Sequence, residues 1–229
     1  MPVFLYGIWE LLEKQNKDLQ TANSSHEEIQ RTSKEYLQQV IQQMNKEVDK
    51  LDPMVAGRMI GLVHKVQDIN DLGCDTPIER NDNIVADQVA KQAVAESGID
   101  QCQYFTFDVK VSPEASSMLQ TNAKQAAHAL ALLLDNSKKF TTEGCVTLYV
   151  DADLQESKIT YSVEDTGLGV PVAEAEHVFE PFVKLNSYFD GQGLGLTFAR
   201  SIARRLGGDV ALDTTRTGKG SCFVMTLPM

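Results

Sequence analysis

Apolar residues between positions 37 and 69 recur at helical spacing. Leu37, Val40, Met44, Val48 and Leu51 step by 3, 4, 4 and 3, and Val55, Met59, Leu62, Val66 and Ile69 by 4, 3, 4 and 3. Steps of this kind align one apolar seam along each helix. Between the seams stands "LDPM" (Leu51 to Met54), where Pro53 cannot continue a helix interior. The pattern predicts a helical hairpin over residues 21–76. Each helix of such a hairpin buries only one stripe, so the core is too small for a monomer. Pairing of two copies into a dimeric four-helix bundle is the expected remedy. Ahead of it, residues 1–20 carry Phe4, Leu5, Ile8, Trp9, Leu11 and Leu12 and then turn polar. That opening fits either an amphipathic first helix or the exit end of a membrane helix, as a signalling or juxtamembrane segment.

"GCDTPIERND" (Gly73 to Asp82) breaks the helical texture, and a second domain is expected over residues 80–229. "NIVADQVAKQAVAES" reads as an amphipathic helix through Val85, Val89 and Ala93. "YFTFDVKV" alternates Phe105, Phe107, Val109 and Val111 with polar partners, as a strand does. "AKQAAHALALLLDNSKKF" predicts a long, mostly buried helix, and "CVTLYVDA", "KITYSVED" and "SCFVMTLP" predict three more strands. Between the last two lies the helix "GLTFARSIARRLGG", closed by paired glycines. Strands covered by helices on one face give the fold class: α+β, an α/β sandwich following the hairpin.

Charge and cysteine usage narrow the function classes. With 21 basic and 32 acidic residues the 229-residue chain carries a net charge of −11. No nucleic-acid partner is expected, since phosphate backbones need a clustered positive surface. Cys74, Cys102, Cys145 and Cys222 are far apart and form no Cys-x-x-Cys pair. A reduced, cytoplasmic compartment fits them, with the thiols packed as small hydrophobes.

Five local signals then follow in order. "LLLDNSKKFT" puts Asn136 and Lys139 near the end of the buried helix, and "EDTGLG" puts Asp165 at a strand end before Gly167 and Gly169. "FEPFVKL" comes next, then "GQGLGL" (Gly191 to Leu196) opening a helix, then "TGKGS" (Thr217 to Ser221) before the last strand. Taken singly, each also fits an ordinary turn, helix end or surface charge. Together they suit ATP. Asn136 offers an uncharged oxygen to Mg²⁺, which keeps several waters and shares phosphate oxygens. Lys139 can meet phosphates as a point charge. Asp165 can accept from the exocyclic amine of adenine, which guanine lacks at that position. Gly193 and Gly195 allow close backbone approach, and the helix start behind them favours anions. Ser221 can place a hydroxyl beside the base.

This order resembles the N box, the three glycine boxes and the F box of sensor histidine kinases. Those kinases share the Bergerat ATPase fold with gyrase and MutL. The likeness covers about residues 84–228. It implies Mg²⁺ at Asn136, phosphates at Lys139, the adenine amine at Asp165, and a lid over ATP at residues 183–192. Phe140, Gly167, Gly169, Lys184, Gly191, Gly193, Leu194, Gly195, Leu196 and Ser221 complete the implied cofactor-binding set. One departure stands out: the family carries a further Asn one turn before the Mg²⁺ ligand, and this chain has Leu132 there. Gyrase-type relatives place a glutamate base at that position, so water-activating hydrolysis is not expected.

The resemblance also requires a phosphoryl acceptor in the first helix of the hairpin. "SSHEEIQRTSKEYL" supplies His26 and Glu27, with Gln30 at the fourth place and no following Pro. An imidazole attacks phosphorus when its proton has an acceptor. Glu27 can take that proton, and Gln30, at i+4, can position a water for dephosphorylation. His64 on the second helix is the lesser candidate. The implied protein is the kinase core of an inner-membrane sensor, tethered through an upstream segment. It would act as a homodimer that autophosphorylates His26 and passes the group to a response-regulator receiver domain. Two alternatives stay open: a degenerate nucleotide-binding scaffold of the same fold, and a serine/threonine-phosphorylating or hydrolytic Bergerat ATPase.

Overall fold

The structure is a computed structural model in which residues 76–186, 193–216 and 219–229 are described. The chain divides into two units, Met1–Leu72 and Gly73–Met229, and the described residues belong to the second. The expected hairpin and bundle, with His26, Glu27, Gln30 and His64, lie outside the described residues. So do Gly191, the stretch 187–190 of the expected lid, and Thr217.

Seven strands and three helices are described: β1 (Asp82–Val85), α1 (Ala86–Ser97), β2 (Thr106–Val111), β3 (Met118–Thr121), α2 (Ala123–Phe140), β4 (Cys145–Asp153), β5 (Lys158–Asp165), α3 (Gly195–Arg205), β6 (Asp209–Leu212) and β7 (Cys222–Pro228). A five-stranded sheet runs in the order β2-β4-β5-β7-β6, and β1 and β3 form a separate two-stranded sheet. The β2–β4 pair is parallel and the other pairs of the larger sheet are antiparallel.

Alternation decides which face of the sheet is covered. In β5, Ile159, Tyr161, Val163 and Asp165 are buried while Lys158, Thr160, Ser162 and Glu164 are half-buried. Val146, Leu148, Val150 and Ala152 of β4 and Phe223, Met225 and Leu227 of β7 join the same core. The core-facing residue at the end of β5 is therefore an aspartate where the pattern asks for an apolar side chain. The helices fill the other side of that core. α2 packs against both α1 and α3 and reaches β5. Its buried stripe is Ala126, Ala127, Ala129, Leu130, Ala131, Leu133, Leu134 and Ser137. Asn122 caps its start, accepting from the Gln125 amide at 3.1 Å. Tyr161 ties the sheet to α1, its hydroxyl donating to the Ala86 carbonyl at 3.2 Å.

One local expectation is corrected. The helix expected through Val85 begins instead at Ala86, because Asp82–Val85 pairs antiparallel with Met118–Thr121. Val85 is extended, with φ −79° and ψ 141°. The alternation in "YFTFDVKV" gives a strand, as expected, and its burial falls off along its length. Phe105 is buried, whereas Val109 and Val111 are 43% and 41% exposed. β2 is an edge strand, and its distal half runs beyond the cover of the core.

Candidate functional site

Asp165 ends β5 on the helix-facing side and is 4% exposed. Its Oδ1 accepts from the amides of Gly167 at 2.9 Å and Ser221 at 3.2 Å. Ser137 of α2 donates to Oδ2 at 3.3 Å. Burial raises the carboxyl above its usual range, opposed by the bonds from Gly167, Ser221 and Ser137. A carboxylate offers about four lone-pair sites, and three are used, so one acceptor position remains for a ligand.

The chain fixes this aspartate by close backbone packing. The Asp165 amide donates to the Ser221 carbonyl at 2.9 Å. Gly220, with φ +96°, lies so near that an added Cβ would stand 1.8 Å from the Asp165 carbonyl oxygen. Only glycine permits that approach and that backbone angle together. The turn after Asp165 is tied down as well: the Cys145 amide donates to Thr166 Oγ1 at 3.0 Å, and the Leu168 amide to the Phe140 carbonyl at 3.3 Å.

Asn136 is half-buried on α2, immediately before Ser137, and so stands beside the helix residue that meets Asp165. Lys139, one turn on, is also half-buried, with Nζ 5.0 Å from the centre of the Phe140 ring. Leu132 is half-buried and packs against the core. Gly167 is buried beside the Asp165 carboxyl, Gly169 is half-buried, and Ser221 reaches Asp165 through its backbone amide.

At the second glycine turn, the two glycines serve different ends. Gly193 has φ +71°, and a Cβ there would stand 2.5 Å from the Val183 carbonyl oxygen. Its carbonyl accepts from the Phe182 amide at 2.9 Å. The chain's own packing therefore requires this glycine. Gly195 is different: a Cβ there would meet nothing within 4 Å. It opens α3 behind Leu194, which gives no side-chain cap. The first amides of a helix carry partial positive charge and lack intrahelical partners. Leu194 is buried and Leu196 half-buried, while Lys184 is exposed.

Residues 121–229 match the family described as histidine kinase-, DNA gyrase B-, and HSP90-like ATPase. Over residues 121–229 the chain carries a histidine kinase-type ATPase domain. Among its relatives, the sensor histidine kinase RcsC of Escherichia coli strain K12 is 31% identical over 123 residues, covering 52% of this chain and 13% of RcsC. The adaptive-response sensory kinase SasA of Thermosynechococcus vestitus is 33% identical over 129 residues, covering 56% of this chain and 33% of SasA. The chain thus spans a third or less of these relatives. Full-length ShkA, solved in complex with AMPPNP, shares the fold of the ATPase domain with a TM-score of 0.62 at 24% identity, covering 76% of this chain and 36% of ShkA. Among the described residues, no helix is long and apolar enough to cross a membrane.

Sequence reasoning missed two parts of this neighbourhood. Ser137 meets the key carboxylate, and its signal was present: it is the polar residue at i+7 from Leu130 and i+4 from Leu133 on a buried stripe. Arg200 binds two acids and covers Phe179, which no local pattern announces. A further groove of about 330 Å³ opens beside Val170, Pro171, Leu212 and Arg216. Glu164, which pairs with Arg216, lines it together with Asp165, Gly220 and Ser221, while Asp165 Oδ2 meets Ser137 on α2.

Proposed function

We propose that this chain is the core of a sensor histidine kinase, binding Mg·ATP in its ATPase domain and phosphorylating His26. The observation that carries the reading is the buried Asp165, held by Gly167, Ser221 and Ser137 with one acceptor position left over. A buried carboxylate of that kind suits an amine donor, and adenine provides one. The base would meet Asp165 beside Ser137 and Ser221, the residues that already hold the carboxyl.

The remaining groups suit the phosphates. The amides opening α3 at Gly195 have no side-chain cap, a Cβ there would meet nothing within 4 Å, and a helix start of this kind suits an anion. Lys139 adds a positive charge one turn beyond Asn136. For a metal, Asn136 offers a half-buried, neutral oxygen, the kind of donor that suits an ion sharing its shell with phosphates and water. Bound Mg²⁺ would offset the charge that develops on the transferring phosphoryl group. Catalysis would rest on positioning and electrostatics rather than on covalent work by the ATPase domain.

In the transfer, an imidazole nitrogen of His26 forms a bond to the γ-phosphorus. The bond from that phosphorus to the bridging oxygen breaks, ADP leaves with the electron pair, and Glu27 takes the ring proton. Gln30 would position a water for a separate, hydrolytic dephosphorylation. A homodimer joined through residues 21–76 would present the acceptor, and a receiver-domain aspartate would take the group onward. One observation favours the second reading, a nucleotide-binding scaffold without transfer: Leu132 packs against the core where the kinases place an additional Asn.

Incubation with ATP labelled at the γ or the α position tests the proposal. Protein-bound label should arise from the γ position alone, and Asn136→Ala should abolish it while adenosine binding persists. ATP binding with no γ label would favour the scaffold.

A further inference from the structure

Arg200 lies in the second turn of α3, and its side chain is 13% exposed. Three groups meet its guanidinium. Nε donates to Asp209 Oδ1 at 3.1 Å, and a terminal nitrogen donates to Glu176 Oε2 at 2.6 Å. The guanidinium carbon stands 4.5 Å from the centre of the Phe179 ring. Phe179 in turn meets Phe223 of β7 edge-on, with centroids 6.1 Å apart and planes at 88°. One side chain thus joins α3, the start of β6, and the Glu176–Phe179 turn. Through Phe179 it also rests on the strand that begins beside Asp165.

The purpose of this junction is not global stability. Glu176 is 79% exposed, and a pair with so wet a partner contributes little to folding. Asp209 does not depend on Arg200 either, since Arg204 donates to both its oxygens, at 2.9 and 3.3 Å. What the junction fixes is geometry. Phe182, a little beyond Glu176, has φ +66°, a strained angle for a residue with a Cβ. Strain of that kind persists only where the surroundings hold it. Its amide is bonded to the Gly193 carbonyl on one side, and the Arg200 contacts hold the chain on the other. Gly195 stands five residues before Arg200 on the same rigid helix, about 7.5 Å along its axis.

We propose that Arg200 is a positioning residue: it holds the start of α3 against the Glu176–Val183 segment, so that binding of a nucleotide's outer phosphates depends on it and binding of the base does not. The inference rests on the reading of the domain as an ATP site with the phosphates at the helix start. Arg200 itself touches no nucleotide; it acts through where Gly195 and its neighbouring amides sit. Lysine keeps the charge but lacks the flat face and the fork of donors, so it can serve one acid at a time.

The test uses the full 229-residue chain. Calorimetry gives Kd for Mg·ATP and for AMP in the wild type, Arg200→Met, Arg200→Lys and Glu176→Gln, well below each protein's unfolding temperature. Arg200→Met should weaken ATP by about tenfold, within the usual range of coupling between sites, and change AMP by less than about twofold. Arg200→Lys should recover part of the ATP affinity. Glu176→Gln, an exposed and nearly isosteric change, should show a smaller loss confined to ATP. If Arg200→Met weakens both nucleotides equally, or neither, the positioning role is overturned while the ATP site stands. A wild type that binds neither nucleotide overturns the ATP-site reading, and the positioning role with it.

Discussion

Replacing Asp165 by asparagine separates the role of its charge from the role of its shape. Oδ1 accepts two backbone amides, so the asparagine must place its carbonyl oxygen there. Its NH₂ group then takes the position of Oδ2, facing Ser137 and the ligand. Ser137 can adapt, because a hydroxyl rotates and can accept instead of donate. An adenine amine cannot adapt, and it would meet a donor. The loss of one charge-assisted hydrogen bond amounts to about 1.5 to 3 kcal/mol, or roughly ten- to 150-fold in affinity. Stability should change by less than about 1 kcal/mol, since the backbone bonds remain and an unfavourably buried charge is removed. The new NH₂ would instead suit the carbonyl oxygen that guanine carries at the same ring position, so the ratio of ATP to GTP affinity should fall further than ATP affinity alone. Titration calorimetry with both nucleotides, beside thermal unfolding, reads all three quantities. Unchanged ATP affinity in a folded Asp165→Asn protein would remove this carboxylate from the site.

Three further outcomes follow from the same geometry. Because burial raises the Asp165 carboxyl, at a given pH it binds a proton more readily in the folded, nucleotide-free protein than in the unfolded chain. Compared with Asp165→Asn, the wild type should therefore gain unfolding free energy as pH falls through the raised pKa, and lose it as pH rises; ATP affinity should weaken over that same falling window, which denaturant titrations and calorimetry across mildly acidic pH would check. Gly195→Ala should leave thermal stability intact and weaken ATP, whereas Gly193→Ala, strained at φ +71° and crowded by Val183, should cost about 1 to 3 kcal/mol of stability. Leu132→Asn should raise the rate of labelling per folded molecule despite some packing loss, and a fall larger than the measured destabilisation would mean that this position serves the core alone.

The legible parts of the fold were those with long, regular patterns. α2, α3, β4, β5 and β7 have enough alternation or helical spacing to declare themselves. β1, β3 and β6 are four residues each, too short to carry a period. They exist because distant partners complete their hydrogen bonding, as Asp82 does with Thr121 and Leu212 with Phe223. The half-exposed valines of β2 show the converse limit: alternation reveals a strand but not whether a layer covers it. At the candidate site, Asp165 stood out as an acid at the end of a buried alternation. Ser137 was readable only as a polar break in an apolar stripe. The Arg200 junction was not readable, because its partners lie 24 residues before it and 9 after it, and only folding brings them together. Glycine roles divided in a way that spacing cannot express: Gly193 answers to Val183, and Gly195 to open space.

The central claim is that the γ-phosphoryl group of ATP reaches His26, and the chemistry of the protein-bound label tests it most directly. A phosphorylated imidazole is a phosphoramidate, lost in acid and retained in base, whereas phosphoserine and phosphothreonine behave oppositely. After incubation with Mg·ATP labelled at the γ position, the wild-type chain should carry acid-labile, base-stable label. His26→Gln should carry none, while still dimerising and binding ATP, and His64→Gln should retain most of it. Acid-labile label that survives His26→Gln would place the acceptor elsewhere; a wild type that binds Mg·ATP yet gains no acid-labile label would contradict the kinase reading.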